Sequence, residues 1–595
     1  MGAVASAPRD PPPGLIGDGP FGDGPLRDGP PRRASPFALA RPTATRVARV
    51  GLAVVLALAA LTTFRGLDYS EHWDEHIVFQ TAKRQVQTGV FLPGRYNYPS
   101  FVFYAPFVVL APELGRVLTA GPSQKELERA LVPVIESHAF KLRLRGALAA
   151  LGLTTIVSAY LLGTALRRRE LEGLVAAAFV GGSWELLYHA RWVAPDVPQL
   201  AFATASMAAL AWAVRRDDEG HDPGALRVVG AALAGLATST KFPAGMLLAP
   251  LVATPFLSRR AGGRLTQFRA AGGLALVFAL AYLFVTPATV LAPFEFFGQL
   301  TANARVYAVE GHGQYTITPG WPHLVRTLEY VALVVPARAP AASALVSLAF
   351  VVGAASLVRA SPTRAAWLLF VPLFDVWWVS GLRVMIVRNV LFMAPFMFVV
   401  AAWGVGALAD AIAALGASRP RLAHTALGAL TAAVLLLFAT NTRWAASAAD
   451  SIRAAPHVDP PRALAHWLAR RPAERFVVSP RVARELRAID AGGALPPNVD
   501  AEPRWVRTSS GASPALDRAQ RAIWMQHEPP NFMWRVPVNR RGAYELLPSG
   551  PYEANMDWYA SWYSQDRVVI TSITTATTAG ITWPRGRTST TAAGR

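Results

Sequence analysis

The apolar residues of this chain are gathered into runs, several of which approach the roughly 20 residues needed to cross the hydrocarbon core of a bilayer. That clustering restricts the fold more than any other feature. Inside lipid the backbone must satisfy its own polar groups, so a chain built from such runs folds as a bundle of membrane-spanning helices. The composition agrees: 52% of the 595 residues are hydrophobic and 16% are charged. The net charge of +20 suggests nucleic acid only if the arginines form a soluble basic face. Here they sit in short loops between apolar runs, so no nucleic-acid partner is expected. The chain has no cysteine, which excludes disulfides and thiolate chemistry.

Positions 1–44 repeat Gly, Asp and Pro and are expected to be disordered on the cytoplasmic side. The first apolar run, Val47 to Thr63, begins among Arg41, Arg46 and Arg49, which keeps the N-terminus in the cytoplasm. About eleven spans are expected. The first is 47–66, followed by a long outer loop over 67–139. The others are 143–165, 171–190, 197–214, 226–241, 243–257, 271–290, 341–358, 365–381, 389–410 and 422–440. In this alternation each inner loop carries at least two arginines, such as Arg167, Arg168 and Arg169, Arg215 and Arg216, or Arg419 and Arg421. Within the outer loop, 71–88 reads as an amphipathic helix. Residues 98–118 are apolar but interrupted by Pro99, Pro106, Pro112 and Glu113, which suits a helix lying in or dipping into the interface. Counting it as a crossing would put all later arginine loops outside. Residues 443–575 are expected to form a small extracytoplasmic α/β domain, with a helix over 462–470 and strands over 475–480 and 567–573. A disordered tail follows over 576–595.

With this topology, the ionisable residues near the membrane collect at the outer surface, where they suit an anionic, lipid-linked substrate. A charge near the bilayer centre costs about 2.5–3.5 kcal/mol on insertion scales, so such groups usually face a cavity or a partner. Three signals stand out. Glu71-His72-Trp73-Asp74-Glu75-His76 follows the first span, with Gly89 and Tyr96-Asn97-Tyr98-Pro99 further on. Adjacent carboxylates on a helix point about 100° apart, so Asp74 and Glu75 take different jobs, one aimed at the site and one at its support. His189-Ala190-Arg191 and Pro195-Asp196 mark the outer end of the third span, and Thr238-Ser239-Thr240-Lys241 that of the fifth. Against each stands an ordinary reading: a solvated acidic patch, an interfacial turn and a snorkelling lysine. His312, between Gly311 and Gly313, is the weakest signal, since glycine-flanked histidines are common in plain loops.

The order of these signals resembles the membrane glycosyltransferases of the C superfold (GT-C), and most closely the dolichyl-phosphate-mannose protein mannosyltransferase-like family, which includes the aminoarabinose transferases of lipid A. The family's early Asp-Glu pair is matched by Asp74-Glu75, its Gly and Tyr/Pro-rich segment by Gly89 and Tyr96–Pro99, its second Asp by Asp196 and its Thr-Lys pair by Thr240-Lys241. Its late Arg-aromatic element appears as Arg388-Asn389, with Asn in the aromatic place. The resemblance covers roughly 50–440. It implies an all-α polytopic fold, a polyprenyl-phosphate sugar donor, a lipid, glycan or protein acceptor outside the cytoplasm, and inversion at the anomeric carbon. It implies catalytic roles for Asp74, as general base, Glu75 and Asp196; donor-phosphate contacts for Lys241, Arg191 and Arg388; and sugar or acceptor contacts for Tyr96, Tyr98 and His312. A divalent metal ion, held by Asp74, Asp196 and His189, is a further possibility it leaves open. The competing expectations are a lipid-linked oligosaccharide ligase, which would lack the early Asp-Glu loop, a transporter, which would carry its charges at the bilayer midplane, and an inactive assembly factor.

Overall fold

The computed structural model describes residues 41–67, 75–119, 121–257, 263–312, 315–337, 339–416 and 418–454. Beyond these it describes 465, 468–478, 482–483, 486–487, 493–501, 521–526, 544–546 and 567–572. Expectations for 1–40, for Asp74, for most of 462–470 and for the C-terminal tail lie outside the described residues.

The protein is an all-α polytopic membrane protein. Its helices run α1 (Arg41–Arg65), α2 (Glu75–Thr88), α3 (Phe101–Val109), α4 (Ala111–Leu118), α5 (Gln124–Glu136), α6 (His138–Arg167), α7 (Glu170–Gly182), α8 (Trp184–His189), α9 (Asp196–Asp218) and α10 (Gly224–Thr240). They continue α11 (Leu248–Ala253), α12 (Arg264–Val285), α13 (Ala288–Leu291), α14 (Pro293–Arg305), α15 (Trp321–Leu333), α16 (Pro340–Ala360), α17 (Pro362–Ser380), α18 (Ala394–Leu415) and α19 (Pro420–Ala454).

Among the described residues, seven helices are long and apolar enough to cross a membrane, or eight if the bent pair α3–α4 counts as one span. Four of the eleven expected spans are helical but fall short of that test. The segment 171–190 breaks at Ser183, whose backbone is extended and whose hydroxyl donates to the Val335 carbonyl at 2.9 Å. The segment 243–257 contains Pro243, Pro250 and Pro255, and winds as a 3₁₀ turn (Phe242–Leu247), α11 and a second 3₁₀ turn (Thr254–Leu257). Helices α10 and α17, 17 and 19 residues long, occupy the remaining two positions. The expected dip at 98–118 is a sharp bend, with α3 and α4 meeting at 65°. Pro112 lies in the first turn of α4, where a missing N–H costs nothing.

At the other end of the membrane region α19 does not stop near Thr442 but runs to Ala454. Residues 443–454 are alanine-rich, so helix propensity persists after the hydropathy falls. The C-terminal strands are β1 (Phe476–Val478), β2 (Val499–Ala501), β3 (Arg521–Gln526), β4 (Tyr544–Leu546) and β5 (Arg567–Ser572), ordered β2-β1-β3-β5-β4. The first three pair in parallel and β5 is antiparallel to both its neighbours.

Burial separates central helices from peripheral ones. The most apolar stretches of α9 and of the helical segment ending in α18 are each 83% buried, against 11% for α12 and 6% for α19. Helices α16 and α18 approach closely where glycines face each other. A Cβ on Gly353 of α16 would lie 2.0 Å from the Val400 carbonyl oxygen, and one on Gly404 of α18 would lie 1.9 Å from that of Ala349. Such small-residue crossings are how membrane helices gain contact where lipid offers no hydrophobic advantage. A second cluster, built from α2, α3, α5 and α6 around Phe79, Phe103 and Phe140, fixes the loop region beside the bundle.

Candidate active site

Three separate elements deliver charged side chains to one end of the bundle. Asp196 opens α9, Lys241 caps the C-terminus of α10, and Arg388 and Asn389 lie on a 3₁₀ turn (Val387–Met393) that leads into α18. The Lys241 ammonium donates to Asp196 Oδ1 at 2.6 Å and to Asn389 Oδ1 at 2.7 Å. Arg388 Nε stands 3.9 Å from Asp196 Oδ2, and its Nη2 is 3.5 Å from the Tyr98 hydroxyl. The Asp196 and Arg388 side chains are each 3% exposed and that of Lys241 10%. Two cations therefore face one carboxylate in a nearly dry setting, where electrostatic forces act with little screening. The departure from the family pattern at Asn389 has a role in this geometry, because its amide oxygen is the second acceptor for Lys241.

Glu75 is anchored a short distance away. Arg145 of α6 grips it with two parallel contacts, Nε to Oε1 at 3.0 Å and Nη2 to Oε2 at 2.5 Å, and also donates to the Leu67 carbonyl at 3.0 Å. Val193 N–H donates to Glu75 Oε1 at 2.8 Å. Both side chains of the pair are 0% exposed. Glu75 thus ties the start of α2 to the turn that precedes Asp196. Residue 74 lies outside the described residues; the Val193 N–H that Glu75 accepts lies three positions before Asp196.

The other expected site residues are spread around this centre. Arg191 is buried and donates through Nη2 to the carbonyls of Thr62 and Ala445, at 3.3 and 3.1 Å. His189 is buried with its Nε2 3.1 Å from Glu185 Oε2, one turn back on α8. Tyr96 is buried against Phe296, with ring centroids 5.5 Å apart, and its N–H donates to Gln299 at 2.8 Å. Burial first of all, opposed by a bond to Gly94, raises its phenol above the ordinary value. His312 is exposed, stacks on Tyr315 at 5.8 Å, and its N–H donates to the Thr316 hydroxyl at 2.8 Å. That loop is laced to the strand-like run before Arg388: Ile317 N–H donates to Arg383 O and Met385 N–H to Tyr315 O, at 2.8 and 2.9 Å.

The described residues do not by themselves make a metal site, since no group of three His, Asp or Glu side chains is placed to hold an ion. His189 faces Glu185, and Asp196 already has Lys241 and Arg388 beside it. Sequence reading missed Arg145, whose partner lies 70 positions away. It also missed Glu185 and Asp375, single acids inside apolar helices, although a lone intramembrane acid is itself a signal.

Residues 133–295 match the dolichyl-phosphate-mannose-protein mannosyltransferase family. This segment contains Arg145, His189, Arg191, Asp196 and Lys241, and over it the chain resembles that family. Among solved structures, the chain is similar to ArnT from Cupriavidus metallidurans in the apo state, at 14% identity and a TM-score of 0.44, over 89% of this chain and 98% of that one. It is also similar to the archaeal oligosaccharyltransferase AglB from Archaeoglobus fulgidus, at 13% identity and a TM-score of 0.43, over 80% of this chain and 70% of that one. No curated protein matches the chain.

Proposed function

We propose that this protein is a membrane glycosyltransferase that moves a sugar from a polyprenyl-phosphate donor to an acceptor outside the cytoplasm, with inversion. The observation that carries the reading is the buried centre of Lys241 and Arg388 about Asp196, two of whose members lie in the segment matched to the mannosyltransferase family. A lipid phosphate is a good leaving group, provided that cations meet the charge that develops on it. Lys241 and Arg388 are assigned that task, and Asp196 and Asn389 hold the lysine in place.

In the proposed step an acceptor hydroxyl oxygen attacks the anomeric carbon as the bond from that carbon to the phosphate oxygen breaks. The bonding electrons go to the phosphate, and the hydroxyl proton goes to Asp74. Glu75 is assigned to anchoring residue 74 through Arg145, Leu67 and Val193. Tyr98, in contact with Arg388, is assigned to the sugar or acceptor side, with Tyr96 shaping the wall behind it. Arg191, tied to two carbonyls, is assigned to holding the turn that carries Asp196. The proposal places the N-terminus in the cytoplasm and the site and C-terminal sheet on the opposite side.

The test is transfer from labelled polyprenyl-phosphate sugars in membranes containing the protein. Asp74→Asn keeps the size of the side chain and removes the proton acceptor. Transfer is expected to fall at least about 10²-fold at equal protein level, the usual loss on removing a general base. Near-wild-type transfer would remove the base assignment, and no transfer by wild-type protein from any polyprenyl-linked sugar would overturn the function.

A further inference from the structure

Helix α14 has two faces, and one of them is spent on the centre described above. Phe296, Gln299 and Asn303 stand at i, i+3 and i+7, on one side of the helix. The Phe296 ring is buried and lies 5.5 Å from that of Tyr96 and 6.0 Å from that of Phe242, the residue directly after Lys241. Gln299 accepts from the Tyr96 N–H at 2.8 Å and donates to the Gly94 carbonyl at 3.3 Å, and Asn303 donates to the Asn97 carbonyl at 3.4 Å. A π-helical turn (Val306–Glu310) continues from α14 and meets Arg383, whose N–H donates to the Tyr307 carbonyl at 2.7 Å and whose Nη1 donates to that of Val309 at 2.9 Å. One continuous segment thus touches the loop before Tyr98, the residue after Lys241 and the run that leads to Arg388.

The opposite face repeats the spacing with Phe294, Phe297 and Thr301. Phe294 is 92% exposed, and Phe297 is exposed with it, as are Val290 and Leu291 of α13. Scattered apolar residues on a surface need no explanation, but four large ones between positions 290 and 297 form a patch. The patch continues a surface that already faces lipid. Helix α12, which is long and apolar enough to cross the membrane, ends at Val285 with Phe284 exposed, and α13 begins at Ala288. Pro287 and Pro293 break the apolar run there, so it goes on past the span without lengthening it. At 13 residues α14 is about 20 Å long, too short to cross a core of about 30 Å. We propose that α13 and α14 lie in the bilayer surface on the side of the site, with Phe294 and Phe297 at the acyl boundary, and that this seat holds the Tyr96–Tyr98 loop in place beside Arg388. The partner is lipid, met by the apolar face of an interfacial helix. The positioning half rests on the reading of Lys241 and Arg388 as the transfer site; the membrane seat does not.

The experiment measures depth first and transfer second. The chain has no cysteine, so single spin labels can be attached to the full-length protein in liposomes without background. Collisions of each label with oxygen, which concentrates among acyl chains, are compared with collisions with a water-soluble nickel chelate. Phe294→Cys is expected to side with Phe284→Cys, the lipid reference, and against His221→Cys, an exposed position between α9 and α10. A label at 294 open to nickel, like that at 221, overturns the seat. A label shielded from both reagents also overturns it, because a protein partner would then cover the face. In the transfer assay, Phe294→Ser with Phe297→Ser is expected to lose about tenfold, since small misplacements of a site are costly. Phe294→Trp, whose ring suits the membrane interface, should transfer as wild type. Full transfer by the serine pair, or an equal loss in Phe294→Trp, overturns the positioning half. If wild-type protein transfers nothing, the reading of the site fails, and the depth measurement still decides the seat.

Discussion

The two ends of the helix bundle both carry ion-pair networks, and they are built differently. Helix α9 links them: Asp196 begins it and Asp218 ends it, about 33 Å apart at 1.5 Å per residue. At the far end each acid serves two arginines. Asp410 pairs with Arg167 and Arg169 at 2.6 and 2.7 Å, and Asp218 pairs with Arg364 and Arg168 at 2.6 and 3.3 Å. Arg168 and Arg169 are about half exposed there, with side-chain exposures of 51% and 53%. The pairs that Arg168 and Arg169 make are screened, and each contributes little, about 0–1 kcal/mol. At the far end Glu172 also joins Arg167 and Arg169, at 3.0 and 3.4 Å; at the Asp196 end two cations face one carboxylate, and each of the three is at most 10% exposed. Similar ion pairs thus form a partly exposed staple in one place and a nearly dry cluster in the other. What separates them is desolvation, which makes a charge costly to keep and strong in its effect on a bound anion.

The comparison can be broken outright by topology. The proposed orientation puts the two networks on opposite sides of the membrane. Because the chain has no cysteine, single reporters can be read without background. Lys125→Cys lies in the loop region joined to the Asp196 end and Arg419→Cys follows α18 at the far end; both positions are exposed. A membrane-impermeant maleimide added to intact cells should label Lys125→Cys and leave Arg419→Cys unlabelled until the membrane is opened. Equal labelling of both would defeat the orientation.

Activity should divide the two ends by orders of magnitude. Lys241→Ala is expected to lower transfer at least about 10²-fold while the protein still inserts, because it removes charge from the leaving phosphate. Lys241→Arg should restore only part of it, the guanidinium fork being wider than an ammonium. Asp410→Asn should transfer within about twofold of wild type, because Asp410 stands at the end of the bundle opposite the proposed site. Equal losses in Lys241→Ala and Asp410→Asn would mean that both act through stability alone.

Stability should show a third behaviour at the Glu75–Arg145 pair. Arg145→Met leaves a fully buried carboxylate without its guanidinium partner, and is expected to cost about 3–5 kcal/mol. The double variant Glu75→Leu with Arg145→Met removes both charges and should recover much of that loss in a detergent unfolding assay. Recovery of stability without recovery of transfer would sharpen the view of Glu75 as the anchor of the loop. A double variant no more stable than Arg145→Met would argue against the pair as the source of the cost.

The ease with which these regions could be read from sequence follows the same physics. Long apolar runs announce their helices, so α1, α6, α9, α16 and α18 lie where hydropathy puts them. The break at Ser183 and the 3₁₀ turns about Pro243 and Pro255 depend on which neighbour meets the freed backbone groups, as Val335 does for Ser183. A hydropathy window does not hold that information. Asp196 and Lys241 were legible because polar residues at the outer ends of spans are conspicuous. Asn389 was legible only as a departure, and the meaning of the departure needed Lys241, 148 positions away. Arg145 was hidden because it lies where α6 emerges from its polar start, among other basic residues, and its burial is a tertiary fact.

The smallest expected effect tests the far end at its most unusual residue. Arg168 caps α6 in the left-handed conformation, at φ 59° and ψ 27°, and is the non-glycine residue with positive φ among the described residues. Left-handed backbone costs an ordinary L-residue about 1–2 kcal/mol, and glycine is the usual residue at such a cap. Against that cost stands its 3.3 Å contact with Asp218, half exposed and shared with Arg364, worth about 0–1 kcal/mol. The two terms are close, with the backbone term the larger. Arg168→Gly should therefore leave stability unchanged or raise it by about 1 kcal/mol, with transfer as in wild type. Arg168→Ala keeps the backbone cost and loses the pair, so it should be the less stable of the two. The order of the two unfolding midpoints decides the matter. If Arg168→Gly were the less stable, or lost transfer, the arginine would be retained for its charge, and the far end would be more than a staple.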